Sequence, residues 1–131
     1  MHPLTGSWIA NIEKSSRDPN HQFSRATMAF EVDGDRVTLT YGGINASGRQ
    51  EHGSQTLVAD GNAHPVPQAA GYTATTTIDR HSMRSTATKD GQPVGESVYA
   101  VAADGLTMTA TVAGIDASGR HFDQVIVFDR E

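Results

Sequence analysis

The 131-residue chain has no cysteine, which excludes disulfides, thiolate nucleophiles and thiolate-held metals. It has no apolar run near the roughly 20 residues that a membrane-spanning helix needs. It is short of cations, with 10 Lys and Arg against 15 Asp and Glu, and the net charge of −5 argues against a nucleic-acid partner. Met1-His2-Pro3-Leu4 shows no basic segment followed by an apolar one, so no signal peptide is visible and a cytoplasmic location is expected. Leu and Lys, good helix formers, are scarce. Thr is abundant and Gly numbers 13, a balance that favours an all-β fold. The length fits a single domain over residues 1–131.

What is present is organised around a stretch that occurs twice. Gly43 to Arg49 reads Gly-Ile-Asn-Ala-Ser-Gly-Arg, and Gly114 to Arg120 reads Gly-Ile-Asp-Ala-Ser-Gly-Arg. The offset of 71 residues also places Asp33-Gly34 on Asp104-Gly105 and Thr40 on Thr111. Asn45 or Asp116 is suited to bond its side chain to backbone N–H groups two residues on, and Gly48 or Gly119 supplies a positive φ. Each copy is therefore a hairpin, and the repeat predicts internally duplicated half-barrels. No helix follows either copy, so the Gly and Ser do not make a helix-based phosphate cradle.

Alternation predicts about ten strands: Thr5–Lys14, Arg25–Asp33, Arg36–Ile44, Arg49–Ala59, a short edge piece at His64–Pro67, Tyr72–Arg80, Ser82–Lys89, Val94–Ala102, Leu106–Ile115 and Arg120–Asp129. Asp18-Pro19-Asn20 marks Ser15–Ser24 as a loop. Prolines confine His64–Pro67 to an edge. Short connections imply an antiparallel up-and-down meander. Closing it into a barrel removes exposed edges and leaves a cavity above eight strands; a sandwich of two five-stranded sheets fits the same pattern. The expected inner face holds Met28, Phe30, Val32, Val37, Leu39, Tyr41, Ile78, Met108 and Val112, and the outer face is rich in Thr.

Gly6-Ser7-Trp8 opening the first strand resembles the Gly-x-Trp signature of the calycins, the lipocalin and fatty-acid-binding-protein superfamily. Leu4-Thr5-Gly6-Ser7-Trp8 with Asn11, Lys14-Ser15 and Pro19, the Gly-x-[Asp/Asn]-Ala-x-Gly hairpin and a last strand ending near Asp129 are similar to small bacterial lipocalin-like proteins of unassigned function. The resemblance implies a barrel that holds a small apolar ligand. Ser15–Ser24 is too short for the helix-turn-helix lid of fatty-acid-binding proteins, so no helical lid is expected. The Arg-x-Tyr pair that holds a fatty-acid carboxylate in that branch is replaced by Ile126 and Phe128.

Trp8 reads either as a cavity floor or as a plug of the barrel end. The fourth strand is unusually polar. The repeat sets Glu51 against Phe122, Gln55 against Ile126 and Leu57 against Phe128. If the copies face alike, Glu51 points inward, where a raised pKa would suit a general acid or base; the alternative is an ordinary surface strand. No two of the six histidines stand at a metal-ligand spacing, although His52 and His121 follow equivalent turns. No Gly-x-Ser-x-Gly elbow occurs. No metal and no cofactor are expected.

Two functions follow, beside a third reading as a structural domain with a filled core and no ligand, which the absence of a cavity would favour. The first is a binding or carrier protein for a small apolar molecule, monomeric or homodimeric, lined by Trp8, Met28, Phe30, Leu39, Tyr41, Gln55, Tyr72, Tyr99, Met108, Ile126 and Phe128. The second is a small cavity enzyme of isomerase, cyclase or hydro-lyase type, with Glu51 as acid or base and Tyr41 or Tyr72 polarising a carbonyl.

Overall fold

The computed structural model describes residues 2–17, 22–66, 69–116 and 118–131. Asp18-Pro19-Asn20, His21, Pro67 and Ala117, which the sequence reading used, lie outside them. Among the described residues there is no helix. The strands are β1 (Gly6–Ser16), β2 (Phe23–Asp33), β3 (Arg36–Asn45), β4 (Gln50–Val58), β5 (Ala63–Pro65), β6 (Tyr72–Ile78), β7 (Ser82–Lys89), β8 (Gln92–Val101), β9 (Thr107–Ile115) and β10 (His121–Arg130). They form one sheet in the order β4-β3-β2-β1-β10-β9-β8-β7-β6-β5, antiparallel throughout. One continuous sheet removes the sandwich alternative.

The sheet curls into a nearly closed barrel, because its inward side chains converge. Leu57 near one sheet end and Ile78 near the other pack against the same core as Trp8, Phe30 and Met108. β4 and β5 are the two sheet ends and share no ladder. The seam between them is bridged at one end of the barrel by the 59–62 connection. There the Ala59 N–H donates to the Asp35 carbonyl (2.6 Å) and the Gly61 N–H to the Thr76 carbonyl (3.0 Å).

The two hairpins of the repeated stretch are built alike. Asn45 Oδ1 accepts from the Ser47 N–H (3.0 Å), the Ser47 hydroxyl (2.7 Å) and the Arg49 N–H (3.0 Å). Asp116 Oδ1 accepts from the Ser118 N–H (3.0 Å), the Ser118 hydroxyl (2.6 Å) and the Arg120 N–H (3.0 Å). Gly48 and Gly119 both take φ of 81°, the left-handed position that closes each turn. The hairpins differ in where the second side-chain group goes. The Asn45 amide donates to Glu51 Oε1 (2.9 Å), whereas Asp116 Oδ2 faces Arg120 Nε (3.8 Å).

Trp8 is fully buried and closes one end of the barrel, here called the floor. Its indole N–H donates to the Leu4 carbonyl (3.0 Å), and the Arg130 guanidinium stacks 4.1 Å above its ring. Arg130 donates on to the carbonyls of Gly105 (2.7 Å), Thr5 (3.0 Å) and Pro3 (2.7 Å), tying the N-terminal segment to the β8–β9 turn. A Cβ on Gly6 would lie 2.6 Å from Arg130 Nη1. The Gly-x-Trp pair thus has a physical reason: glycine leaves room for the guanidinium that covers the indole.

Candidate functional site

Depth inside the barrel sorts the inward side chains. At the floor, Leu4, Trp8, Val37, Met83 and Met108 are fully buried, and Phe30, Leu39, Ala110, Ile126 and Phe128 nearly so. Towards the other end, the mouth, the inward residues are only half-buried: Ala10, Met28, Tyr72, Ala74, Ser85, Ala87, Ser97, Val112 and Phe122. On β1, β3, β7, β8, β9 and β10 the inward face therefore runs from packed to more accessible, whereas Val32 and Ile78 at the floor ends of β2 and β6 are half-buried and Thr76, above Ile78, is buried. The barrel is packed more tightly at the floor than at the mouth.

The register resolves the inner wall of β6 to β10 into levels. The deepest of three is Ile78–Met83–Tyr99–Ala110–Ile126. Above it stands Thr76–Ser85–Ser97–Val112–Gln124. Above that is Ala74–Ala87–Gly95–Gly114–Phe122, in which four of five side chains are a methyl group or less. At the rim Tyr72 pairs with Lys89, and the Lys89 ammonium sits 5.5 Å from the Tyr72 ring centroid. Thr76 and Ser85 share a hydrogen bond of 3.1 Å. The Tyr99 ring meets Phe30 edge-on at 5.4 Å. Burial pushes the Tyr99 hydroxyl above the ordinary tyrosine range, and a hydrogen bond with the Ser97 side chain acts in the opposite direction. Tyr99 is consequently a neutral hydroxyl at physiological pH.

Two recesses mark the wall. The larger, about 720 Å³, crosses β7 to β10 below the rim. It takes in the outward residues Thr86, Glu96, Ala113 and Asp123 and meets the inner wall at the Ala87–Gly95–Gly114–Phe122 level. The smaller, about 250 Å³, runs along β1 to β3 past Ser7, Ala29, Thr40 and Tyr41.

Charge is unevenly spread between the ends. The connections and strand ends at the floor carry Asp33, Asp35, Asp60, Asp79 and Asp104 with the cations Arg36, Arg80 and Arg130. Those at the mouth carry, among the described residues, Arg17, Arg49 and Arg120 with Asp90 and Asp116, and Lys89 ends the strand beside them. The net negative charge therefore lies at the closed end.

The sequence-derived site residues fall into three groups. Phe30, Leu39, Met108, Ile126 and Phe128 lie in the core, with Met28 and Tyr99 packed against it. Trp8 is the floor plug: its only donor is satisfied within the chain. Tyr72 stands at the rim. The third group, on and beside β4, follows the surface-strand alternative rather than the inward one. Glu51 and Gln55 do share the face that Phe122 and Ile126 use in β10, but both are exposed. The reason is position in the sheet. β10 lies between β9 and β1, whereas β4 is a sheet end with no neighbour on one side. Glu51 is exposed and accepts from Asn45, so it is not the inward carboxylate that the enzyme reading needs. Tyr41 is 47% exposed, and its ring lies over the space left by the missing side chain of Gly53 on β4, so it is not a buried carbonyl-polarising hydroxyl. His52 and His121 sit on β4 and β10, with three strands between them, and do not meet. Arg130 is the floor clamp.

Sequence reasoning missed the Thr76–Ser85–Ser97 level. The signal was present: Ser85 and Ala87 share the face of the apolar Met83, and Ser97 that of Tyr99 and Val101.

No protein-family model matches the sequence, and no curated protein sequence matches it. Solved structures do. The fluorescent protein UnaG (wild type) is 13% identical with a TM-score of 0.62, over 98% of this chain and 97% of that one. The zebrafish ileal bile acid-binding protein, solved with cholic acid, is 9% identical with a TM-score of 0.62, over 98% and 99%. Rv2717c from M. tuberculosis is 15% identical with a TM-score of 0.57, over 98% and 93%. At these identities the likeness concerns the fold alone: the chain has a calycin-type β-barrel fold.

Proposed function

We propose that the protein is a binding or carrier barrel that takes a small, largely apolar molecule through its open end. The observation that carries this reading is the change in burial along one inward face, from a fully packed floor at Trp8 and Met108 to half-accessible Val112, Ala87 and Ala74 near the mouth. A protein that needed only a core would fill that half as well, since interiors pack to crystal-like density. A concave, mostly apolar site with a few fixed polar groups is the usual form of a small-molecule site. The shared fold supports the reading: one neighbour is a bile acid-binding protein solved with cholic acid. The enzyme reading rested on Glu51, whose exposed position beside Asn45 gives it no support.

The test uses two neighbouring positions on β9. Val112 faces inward and half-accessible, and Thr111 faces outward and exposed. Val112→Trp should abolish binding of the fluorescent probe 1-anilinonaphthalene-8-sulfonate, and Thr111→Trp should leave it unchanged, with both variants folded by circular dichroism. Equal binding by the two would place the probe outside the barrel and refute the reading.

A further inference from the structure

The accessible half of the barrel is not uniformly apolar, and this bears on the kind of ligand it takes. Thr76, Ser85 and Ser97 stand side by side across β6, β7 and β8. A hydroxyl offers one donor and two acceptor positions. The Thr76–Ser85 bond uses one proton, so the pair keeps one O–H and spare lone pairs. Ser85 and Ser97 are half-buried rather than sealed, and Ser97 also bonds the Tyr99 side chain. Across the barrel the wall is apolar, with Ala10 and Met28. Four residues along β7 from Ser85, Lys89 stands at the rim on the same face and makes no ion pair among the described residues. At the rise of an extended strand the two positions are about 13 Å apart. The level between them is Ala74, Ala87, Gly95 and Gly114, which leaves the wall free of bulk between the two polar groups.

Resting on the reading of the barrel as a ligand carrier, we infer that the inner wall of β6 to β8 is a two-point polar subsite for an amphipathic anion. The hydroxyl level bonds a polar group on the inserted part of the ligand, and Lys89, backed by Tyr72, pairs with its anionic group at the rim. The orientation follows from the charge distribution. The floor end carries Asp33, Asp35, Asp60, Asp79 and Asp104 against Arg36, Arg80 and Arg130, a net negative charge that repels an anion, whereas the described mouth residues carry Arg17, Arg49, Arg120 and Lys89 against Asp90 and Asp116, a net positive charge that attracts one. The apolar body lies along the small-residue level and the Met28 wall. A plain hydrocarbon leaves both polar points unused, and an anion with no second polar group uses one.

Calorimetric titration with three chain ligands of equal length separates these contributions: dodecanoate, 12-hydroxydodecanoate and 1,12-dodecanediol. The wild type should bind 12-hydroxydodecanoate most tightly. Lys89→Gln should weaken both acids about 2- to 5-fold, the size of an exposed ion pair, and leave the diol unchanged. Ser85→Ala/Ser97→Ala should bring 12-hydroxydodecanoate down roughly 3- to 10-fold to the level of dodecanoate, itself unaffected. The subsite is refuted if Lys89→Gln weakens the diol as much as the acids, or if the preference for the hydroxy acid survives the double variant. In those cases the three ligands still bind and the carrier reading stands. If none of the three binds the wild type, both the subsite and the carrier reading fall.

Discussion

The clamp at the floor makes the sharpest stability prediction. Arg130 donates to three main-chain carbonyls and covers Trp8, and Gly6 is glycine because the guanidinium passes where its Cβ would stand. Arg130→Ala removes three charge-assisted hydrogen bonds, nominally about 1.5 to 3 kcal/mol each. The site is part-buried and water can replace some partners, so a net loss of about 3 kcal/mol is expected. For a domain of this size that lowers the midpoint of thermal unfolding by roughly 10 °C. Gly6→Ala should cost a similar amount by displacing the same guanidinium and by forcing alanine to φ of 132°. The two should not add: the double variant should lie within about 1 kcal/mol of the worse single one. Trp8 is the only tryptophan, so its emission reports on the same event and should shift to longer wavelength in each variant. The assay is urea denaturation followed by tryptophan fluorescence. Full additivity, or an Arg130→Ala variant as stable as the wild type, would refute the assignment of Gly6, Trp8 and Arg130 to one unit.

The repeated hairpins supply their own control for pH. Hydrogen bonds from the Ser118 side chain and then the Arg120 N–H hold the Asp116 carboxyl below the ordinary carboxylate range. A depressed folded-state pKa stabilises above the unfolded value and is lost as pH falls through the folded one. Amide exchange at Ser118 and Arg120 should therefore accelerate below about pH 4, while Ser47 and Arg49, capped by Asn45, should show only the intrinsic pH trend; parallel behaviour of the two hairpins would contradict this. Asp116→Asn should keep the turn intact and abolish that acid sensitivity, since Asn45 already does the same work in the first copy. Gly53→Val should displace the Tyr41 ring and lower stability by about 1 to 3 kcal/mol in chemical denaturation; an unchanged midpoint would mean the ring does not rest there. Glu51→Gln should leave ligand affinity within about twofold, as expected of an exposed side chain hydrogen-bonded only to Asn45, and a larger change would return Glu51 to the site.

The strands were legible because the chain states them twice over. Alternation marks the faces, and Asp-Gly or Asn-x-x-Gly turns mark the ends; Arg36, Ser82 and Lys89 fall where the pattern put them. The equivalence of β4 and β10 was also legible, since Gly43 pairs with Glu51 as Gly114 pairs with Phe122. What the pattern does not encode is which strand ends the sheet. Glu51 and Phe122 share a face and a register and differ only in having a barrel wall on one side or on both, a property of closure. The polarity of β4 fits an inward carboxylate or a surface strand equally in the pattern; in the structure it is the ordinary composition of a sheet end, where polar side chains blunt an unpaired edge. The role of Arg130 is not legible for a related reason: a terminal arginine carries no signal of its target until Gly6 and Trp8 are brought beside it. Ser85 and Ser97 are not legible from alternation alone, because a polar residue on an inward face leaves the same pattern as one on a solvated strand.

The central claim is that the mouth half of the barrel is a ligand chamber entered from the end opposite Trp8. Methyl-resolved NMR during titration with dodecanoate tests it most directly. The account predicts shifts at Ala74, Ala87, Val112 and Met28, which line the inner wall, and none at Val98 and Val125 on the outer face of the same sheet. Shifts confined to Val98 and Val125, with the inner methyls unmoved, would contradict it and place the binding surface on the outside of the barrel.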